Sequence, residues 1–241
     1  MIRLDRLLSS LGLGSRAEVK QLIRTGRVSV NGQAAASGDD KVDKGSSVCL
    51  DGKALDTRLD RHLMMNKPAG VLTAARDARQ RTVMDLLEPA YRSLGCMPVG
   101  RLDKDTEGLL LFTTDGQAAH RLLSPAKQVE KRYLARVEGR LDDSAVRRFR
   151  EGMDLSDFRA LPAELIILEA DESESLAEAI VHEGKFHQVK RMFSACRHEV
   201  LWLKRLKFGP LELDKALSPG QYRELREEEW QMLMEAAGYG G

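Results

Sequence analysis

The apolar positions change period several times along the chain, and each change marks an element. Residues 3–12, RLDRLLSSLG, set leucines at helical spacing up to a glycine, which predicts a short helix ending at Gly12. Ser15-Arg16-Ala17-Glu18 has the make-up of a capping box, in which serine and glutamate each satisfy one free backbone N–H. Val19, Leu22 and Ile23 follow at i, i+3 and i+4, so a second helix buries one stripe and stops at Gly26. An Asn31-Gly32 pair after RVSV predicts a hairpin, and SVCL at 47–50 before Asp51-Gly52 predicts another strand and turn. Residues 51–60 are polar with weak periodicity and read as a linker, dividing the chain into 1–58 and 59–241.

Beyond the linker, LMMNKPAGVL at 63–72 reads as a strand broken at Asn66-Lys67-Pro68, because proline cannot donate to a ladder. TVMDLLEP at 82–89 reads as a short helix stopped by Pro89. Gly100 and Gly108 bracket an irregular loop, LLLFTT at 109–114 is a buried strand, and Asp115-Gly116 turns the chain. A helix at 117–125 ended by Pro125 and an alternating strand at 130–139 come next. Val189, Met192, Phe193 and Cys196 form the buried stripe of a helix over 188–196, with His187 at its start. A last strand and helix close the chain, where Glu227, Glu228 and Glu229 suit the helix dipole as solvated residues.

A length of 241 residues with 42% apolar content supports one large domain or a small one plus a medium one. No apolar run approaches the length of a membrane span, and the N-terminus is charged from residue 3, unlike a signal peptide. Three widely spaced cysteines, Cys49, Cys96 and Cys196, without a CxxC, read as reduced thiols of a cytoplasmic protein. Net charge is only +1, but residues 1–31 carry +4, residues 182–207 carry +5 and residues 221–241 carry −3. That asymmetry points to an anionic partner at particular faces. On the second helix Arg16, Lys20 and Arg24 fall at i, i+4 and i+8, away from the apolar stripe, and Arg27 follows. Such a row matches successive phosphates, or is an ordinary solvated face.

The stretch GRLDKDTEGLLLFTTDG, residues 100–116, sets three acidic side chains just ahead of a buried strand. A calcium loop would need an acidic ligand at its twelfth position, where Thr114 stands. A solvated turn is the default for any one aspartate. The third reading is a catalytic carboxylate: Arg101, two residues before Asp103, would share its side of an extended loop and hold it ionised, ready to act as nucleophile or base.

Residues 2 to about 50, with Ser15-Arg16, Ile23-x-x-Gly26 and Val30-Asn31-Gly32, resemble the S4 RNA-binding domain. Gly100-Arg101-Leu102-Asp103, Thr106, Gly108–Leu111 and Thr114-Asp115-Gly116 resemble the signature of the RsuA-type pseudouridine synthases. Asn66-Lys67-Pro68-x-Gly70, Lys131-x-Tyr133 and Glu183–Phe193 agree with it, and the resemblance spans about 2 to 230. It implies an α+β protein: an S4 domain of two helices and a small antiparallel sheet, then a catalytic domain with a mixed, mainly antiparallel sheet flanked by helices.

The resemblance implies conversion of a uridine in RNA to pseudouridine without cofactor or metal. Asp103 would attack the sugar C1′ or the uracil C6, or take a sugar proton. Tyr133 would stack on the flipped uracil beside Lys131, Arg101 would fill the gap in the RNA or steady the nucleotide, and Arg205 would pair with the aspartate. Arg16, Lys20, Arg24, Arg27, Lys190 and Arg191 would hold RNA, with Lys204 and Lys207 extending the basic surface. The S4 module in front and the lack of a long basic tail favour small-subunit (16S) ribosomal RNA, in an assembly intermediate, with a monomeric enzyme. The alternatives are the same reaction on large-subunit (23S) RNA and a catalytically silent assembly factor. One departure stands out: Arg197 occupies a position where the family usually has glycine. Either the helix ends a residue later or the strain is tolerated.

Overall fold

The stripes of the two predicted N-terminal helices do meet: Leu4, Leu7, Leu8, Val19 and Ile23 are buried with Val28, Val42 and Val48 in one cluster. In the computed structural model, which describes residues 1–239, this cluster is the core of the first of two compact units, Met1–Arg61 with Leu87–Met97. Helix α1 (Leu4–Ser10) and helix α2 (Arg16–Arg24) accompany strands β1 (Val28–Val30), β2 (Gln33–Ala34), β3 (Val48–Leu50) and β4 (Lys53–Ala54). The four strands form an antiparallel sheet in the order β2-β1-β3-β4. The capping box is closed at both ends, Ser15 N to Glu18 Oε2 at 2.7 Å and Glu18 N to Ser15 Oγ at 3.4 Å. Asn31 and Gly32 both take positive φ, as a two-residue hairpin turn of this hand requires.

The 87–97 segment carries helix α3 (Pro89–Ser93). Pro89 therefore starts a helix instead of stopping one. At the first helical position the missing N–H costs nothing, because no intrahelical acceptor awaits it. The stretch ahead of it is a 3₁₀ turn, Val83–Leu86.

The second unit is built on one sheet. Its main strands are β5 (His62–Lys67), β6 (Glu107–Thr113), β7 (Lys131–Glu138), β8 (Glu164–Ala170), β9 (Glu174–Val181), β10 (Val200–Phe208) and β11 (Tyr222–Glu224). They lie in the order β8-β9-β7-β10-β6-β5-β11. All neighbours on this path are antiparallel except β10 and β6, which run parallel through Lys204↔Glu107 and Arg205↔Gly108. The sheet is thus mixed and mainly antiparallel, as the resemblance implied. Helices α4 (Gly116–Leu123), α5 (Asp143–Glu151), α6 (Gln188–Ala195) and α7 (Glu227–Ala236) complete the unit. Met64, Leu109, Leu111, Leu122, Phe208 and Leu233 share one core cluster, while Phe149 of α5 meets Phe193 of α6 with ring centres 5.0 Å apart.

Three local features depart from the simplest expectation. Asp115 is the N-cap of α4 and not a turn residue: its carboxylate accepts from the N–H of Gln117 and Ala118. Glu229 is buried, not solvated, because Arg223 grips it with two 2.8 Å hydrogen bonds, and Arg223 holds its carboxyl down to about 2. Helix α6 ends at Ala195, and Arg197 accepts the left-handed conformation at φ 70°. Arg197 N donates to Ser194 O at 2.9 Å and His198 N to Phe193 O at 3.0 Å, the paired bonds that normally close on glycine. Of the two alternatives, the strain is tolerated.

Candidate active site

The loop between Gly100 and Gly108 is irregular but firmly held. Lys67, at the end of β5, is fully buried, and its Nζ donates to the carbonyls of Pro68 (3.0 Å), Lys104 (3.2 Å) and Thr106 (2.9 Å). Burial pushes this ammonium down to about 8 despite the nearby carboxylates. Thr73 Oγ1 donates to Leu102 O at 2.8 Å and lies 3.2 Å from Leu102 N. Gly70 N reaches Lys104 O at 2.7 Å. The backbone is therefore pinned at 102, 104 and 106, on both sides of Asp103. Gly108 is obligatory where the loop enters β6: a Cβ there would sit 2.2 Å from Arg205 O.

Asp103 emerges from this clamp with its side chain 26% exposed. Its Oδ1 is 3.3 Å from His187 Nε2 and its Oδ2 is 3.5 Å from Lys190 Nζ. Lys190 also donates to Asp105 at 2.5 Å, a bond that holds the Asp105 carboxyl below the usual carboxylate range. The cation beside Asp103 is therefore Lys190 of α6 and not Arg101. Arg101 is exposed at the cavity wall and makes no ion pair with Asp103 among the described residues. A neighbour two positions away in sequence was displaced by one contributed from a distant helix.

Arg205 does not pair with Asp103 either. Its Nε donates to Leu109 O at 2.7 Å, because the short parallel ladder ends at Gly108 and leaves that carbonyl to a side chain. The guanidinium lies 5.2 Å from the Phe208 ring centre and 6.0 Å from that of Tyr133, and Nη2 is buried without a partner. Tyr133 is the direct strand neighbour of Arg205. Lys131 shares the buried face of β7 with Tyr133, as the alternation predicted. Its Nζ donates to Val129 O at 2.6 Å, and burial first, then Arg205, lowers it to about 8. Asp103, Lys131, Tyr133, His187, Lys190 and Arg205 all line one cavity of about 450 Å³.

The expected RNA-holding residues divide. Arg16, Lys20 and Arg24 are exposed on α2, and Lys20 and Arg24 line an open groove of about 440 Å³ against residues 35–39. Arg27 is engaged by Asp51, Nε to Oδ1 at 2.8 Å. Lys190 belongs to the carboxylate cluster, and Arg191 is bound to Asp157 and, at 2.8 Å, to Ser156. These last three are partly neutralised by carboxylates that linear spacing did not reveal. His187 is at the N-cap position, but with φ 51° and no side-chain capping bond it faces Asp103 instead. Sequence reasoning also missed Lys67 and Thr73 as supports of the loop. The signal for Lys67 was there, a lysine ending the run LMMNK.

A carboxylate clamped at the rim of a cavity walled by tyrosine and phenylalanine suits chemistry on a flat base taken out of its stack. A basic helix row in the other unit suits RNA. Together they define a base-modifying RNA enzyme. Similarity to known proteins narrows that class: residues 61–195 match the RNA pseudouridylate synthase family and residues 2–48 match the S4 domain. The chain belongs to the RNA pseudouridylate synthase family and is an RNA pseudouridine synthase. It is 44% identical to the RNA pseudouridine synthase YtzG of Bacillus subtilis (strain 168), over 97% of this chain and 99% of that one. It is 39% identical to the ribosomal small subunit pseudouridine synthase A of Yersinia pestis, over 95% and 96%. With the ribosomal large subunit pseudouridine synthase B of Bacillus subtilis (strain 168) it shares 34% over 100% and 98%. A solved pseudouridylate synthase structure superposes with a TM-score of 0.66 at 31% identity, covering 97% of this chain and 100% of that one.

Proposed function

We propose that the enzyme isomerises one uridine of small-subunit ribosomal RNA, with Asp103 as its essential carboxylate. The observation that carries the mechanism is the clamp on the 102–106 backbone, which presents Asp103 to the cavity that Tyr133 lines. In the reaction the C1′–N1 bond breaks and a C1′–C5 bond forms. The C5 proton leaves and N1 gains one, so substrate and product are isomers and no oxidant is consumed. Asp103 acts as nucleophile at C1′ or C6, or as base toward the sugar. Tyr133 stacks on the extruded uracil, with Lys131 and the unpartnered Nη2 of Arg205 in the same cavity. Arg101, exposed at the rim, fills the gap left in the RNA stack or steadies the extruded nucleotide.

Identity barely separates the substrates, at 38–39% to small-subunit relatives and 34–38% to large-subunit ones, the Bacillus large-subunit synthase included, so small-subunit RNA is preferred on the motif resemblance and not on identity. Large-subunit RNA is the second reading, since that relative is matched along its whole length too. The enzyme works as a cytoplasmic monomer. Its substrate is an assembly intermediate, where the uridine is still free to be extruded. A pseudouridine map of total ribosomal RNA from cells with and without the protein tests this. Loss of one small-subunit site is expected. Loss of a large-subunit site instead would move the substrate, and loss of none would overturn the reading.

A further inference from the structure

Between β9 and α6 the chain presents Gly184-Lys185-Phe186-His187 to solvent. Phe186 is 68% exposed, more than any other aromatic ring among the described residues. Its ring stacks on His187, centres 3.8 Å apart and planes 17° from parallel, which leaves the opposite face to water. The loop that carries it is rigid. Gln188 Nε2 donates to the buried Glu183 Oε1 at 2.7 Å, Lys185 N donates to Gln188 Oε1 at 3.1 Å, and Gln188 N returns to Lys185 O at 3.2 Å. Arg191 caps the Phe186 carbonyl at 3.4 Å and is itself fastened to Ser156 and Asp157. His187 takes a left-handed backbone, uncommon for a residue with a side chain, and in doing so lies under the phenylalanine and against Asp103.

A phenylalanine held this way in water forgoes the stabilisation that burial would supply. The exposed face has the shape and polarity of a base-stacking surface, and it lines the same cavity as Asp103. Lys185, which also lines it, suits a phosphate backbone running past. We propose that Phe186, backed by His187, is a stacking platform for an unpaired nucleobase next to the target uridine. The proposal rests on the reading of the Asp103 cavity as the uridine site. It adds a substrate requirement: the nucleotide on one side of the uridine is single-stranded and carries a base, of any identity, since every base offers a π face.

Two measurements test it. The first uses a stem-loop RNA carrying the mapped uridine in its loop, and matched RNAs with an abasic nucleotide on the 5′ or the 3′ side. Phe186→Ala is expected to raise KM about tenfold with kcat within about twofold. Phe186→Tyr and Phe186→Trp restore KM, and Phe186→Leu does not. On one of the two abasic RNAs the wild type and Phe186→Ala become equal. An unchanged KM in Phe186→Ala, a Leu variant as good as Phe, or independent losses on both abasic RNAs would each overturn the platform. The second measurement is tryptophan fluorescence of Phe186→Trp against the wild-type background on adding single-stranded oligouridylate. Quenching is expected from stacking, and its absence counts against it. Because this readout needs no turnover, a protein that isomerises no uridine yet shows quenching would fail the functional reading and keep the platform.

Discussion

Asp103 owes its place to its neighbours' backbone and not to its own bonds. Lys67 and Thr73 tie down residues 102, 104 and 106, while the Asp103 carboxylate meets only longer contacts to His187 and Lys190. Asp103→Asn keeps shape and size, so it is expected to abolish isomerisation while RNA affinity stays within about threefold. A fully active Asn variant, read by pseudouridine formation, would sink the mechanism. Lys67→Met leaves three carbonyls without their donor and is expected to cost about 1–3 kcal/mol in urea unfolding, with a larger loss of activity. Lys67 also carries a pH signature. Its folded value near 8 lies below the 10.5 of an ordinary lysine, so between these limits the unfolded chain binds more protons. Stability from this group therefore rises with pH across that window. The melting advantage of the wild type over Lys67→Met should widen from pH 8 to pH 10, and a constant gap would count against the buried ammonium.

Helix α6 shows what an element can absorb. Its N-terminus begins on a left-handed His187 and its C-terminus closes on a left-handed Arg197. The stripe Val189, Met192 and Phe193, all buried, holds the helix between two strained ends. At the C-terminus no contact of the Arg197 side chain among the described residues justifies the strain, and glycine would adopt the same φ freely. Arg197→Gly relieves left-handed strain of roughly 1–2 kcal/mol against roughly 0.5–1 kcal/mol of added unfolded-state freedom, and is expected to stabilise the protein by up to about 1 kcal/mol, seen as a higher urea midpoint at unchanged slope. A lower midpoint would mean that the Arg197 side chain contributes more than its backbone costs. At the other end the same substitution logic does not apply, because His187 faces Asp103.

Over the whole molecule, charge is nearly balanced at +1, so RNA attraction has to come from local rows and not from a general positive field. The exposed row Arg16, Lys20 and Arg24 on α2 is the least neutralised of those recognised from sequence. Log affinity for RNA should fall with log salt by roughly 0.7–0.9 for each phosphate contacted. Replacing those three residues by alanine is expected to flatten that slope by about two units without lowering the melting temperature. An unchanged slope would remove α2 from the RNA-binding surface.

Local sequence pattern determined many elements of this protein, though it gave no expectation for α5, β8, β9 or β10. The capping box at Ser15, the Asn31-Gly32 hairpin, the buried strand after Gly108 and the stripe of α6 are all local, set by residues within a few positions of each other. The motif around Asp103 likewise made the carboxylate legible, because its loop is one continuous segment. Tertiary structure alone decided who surrounds it. Lys190 replaced Arg101 as the neighbouring cation, Arg205 turned to the Leu109 carbonyl, Glu229 became buried, and Lys67 became the clamp beneath the loop. Each of these is a pairing across 6 to 96 positions of chain. Such pairings are fixed by where sheet order brings strand ends together, and neither composition nor spacing along the chain encodes that separately from the fold.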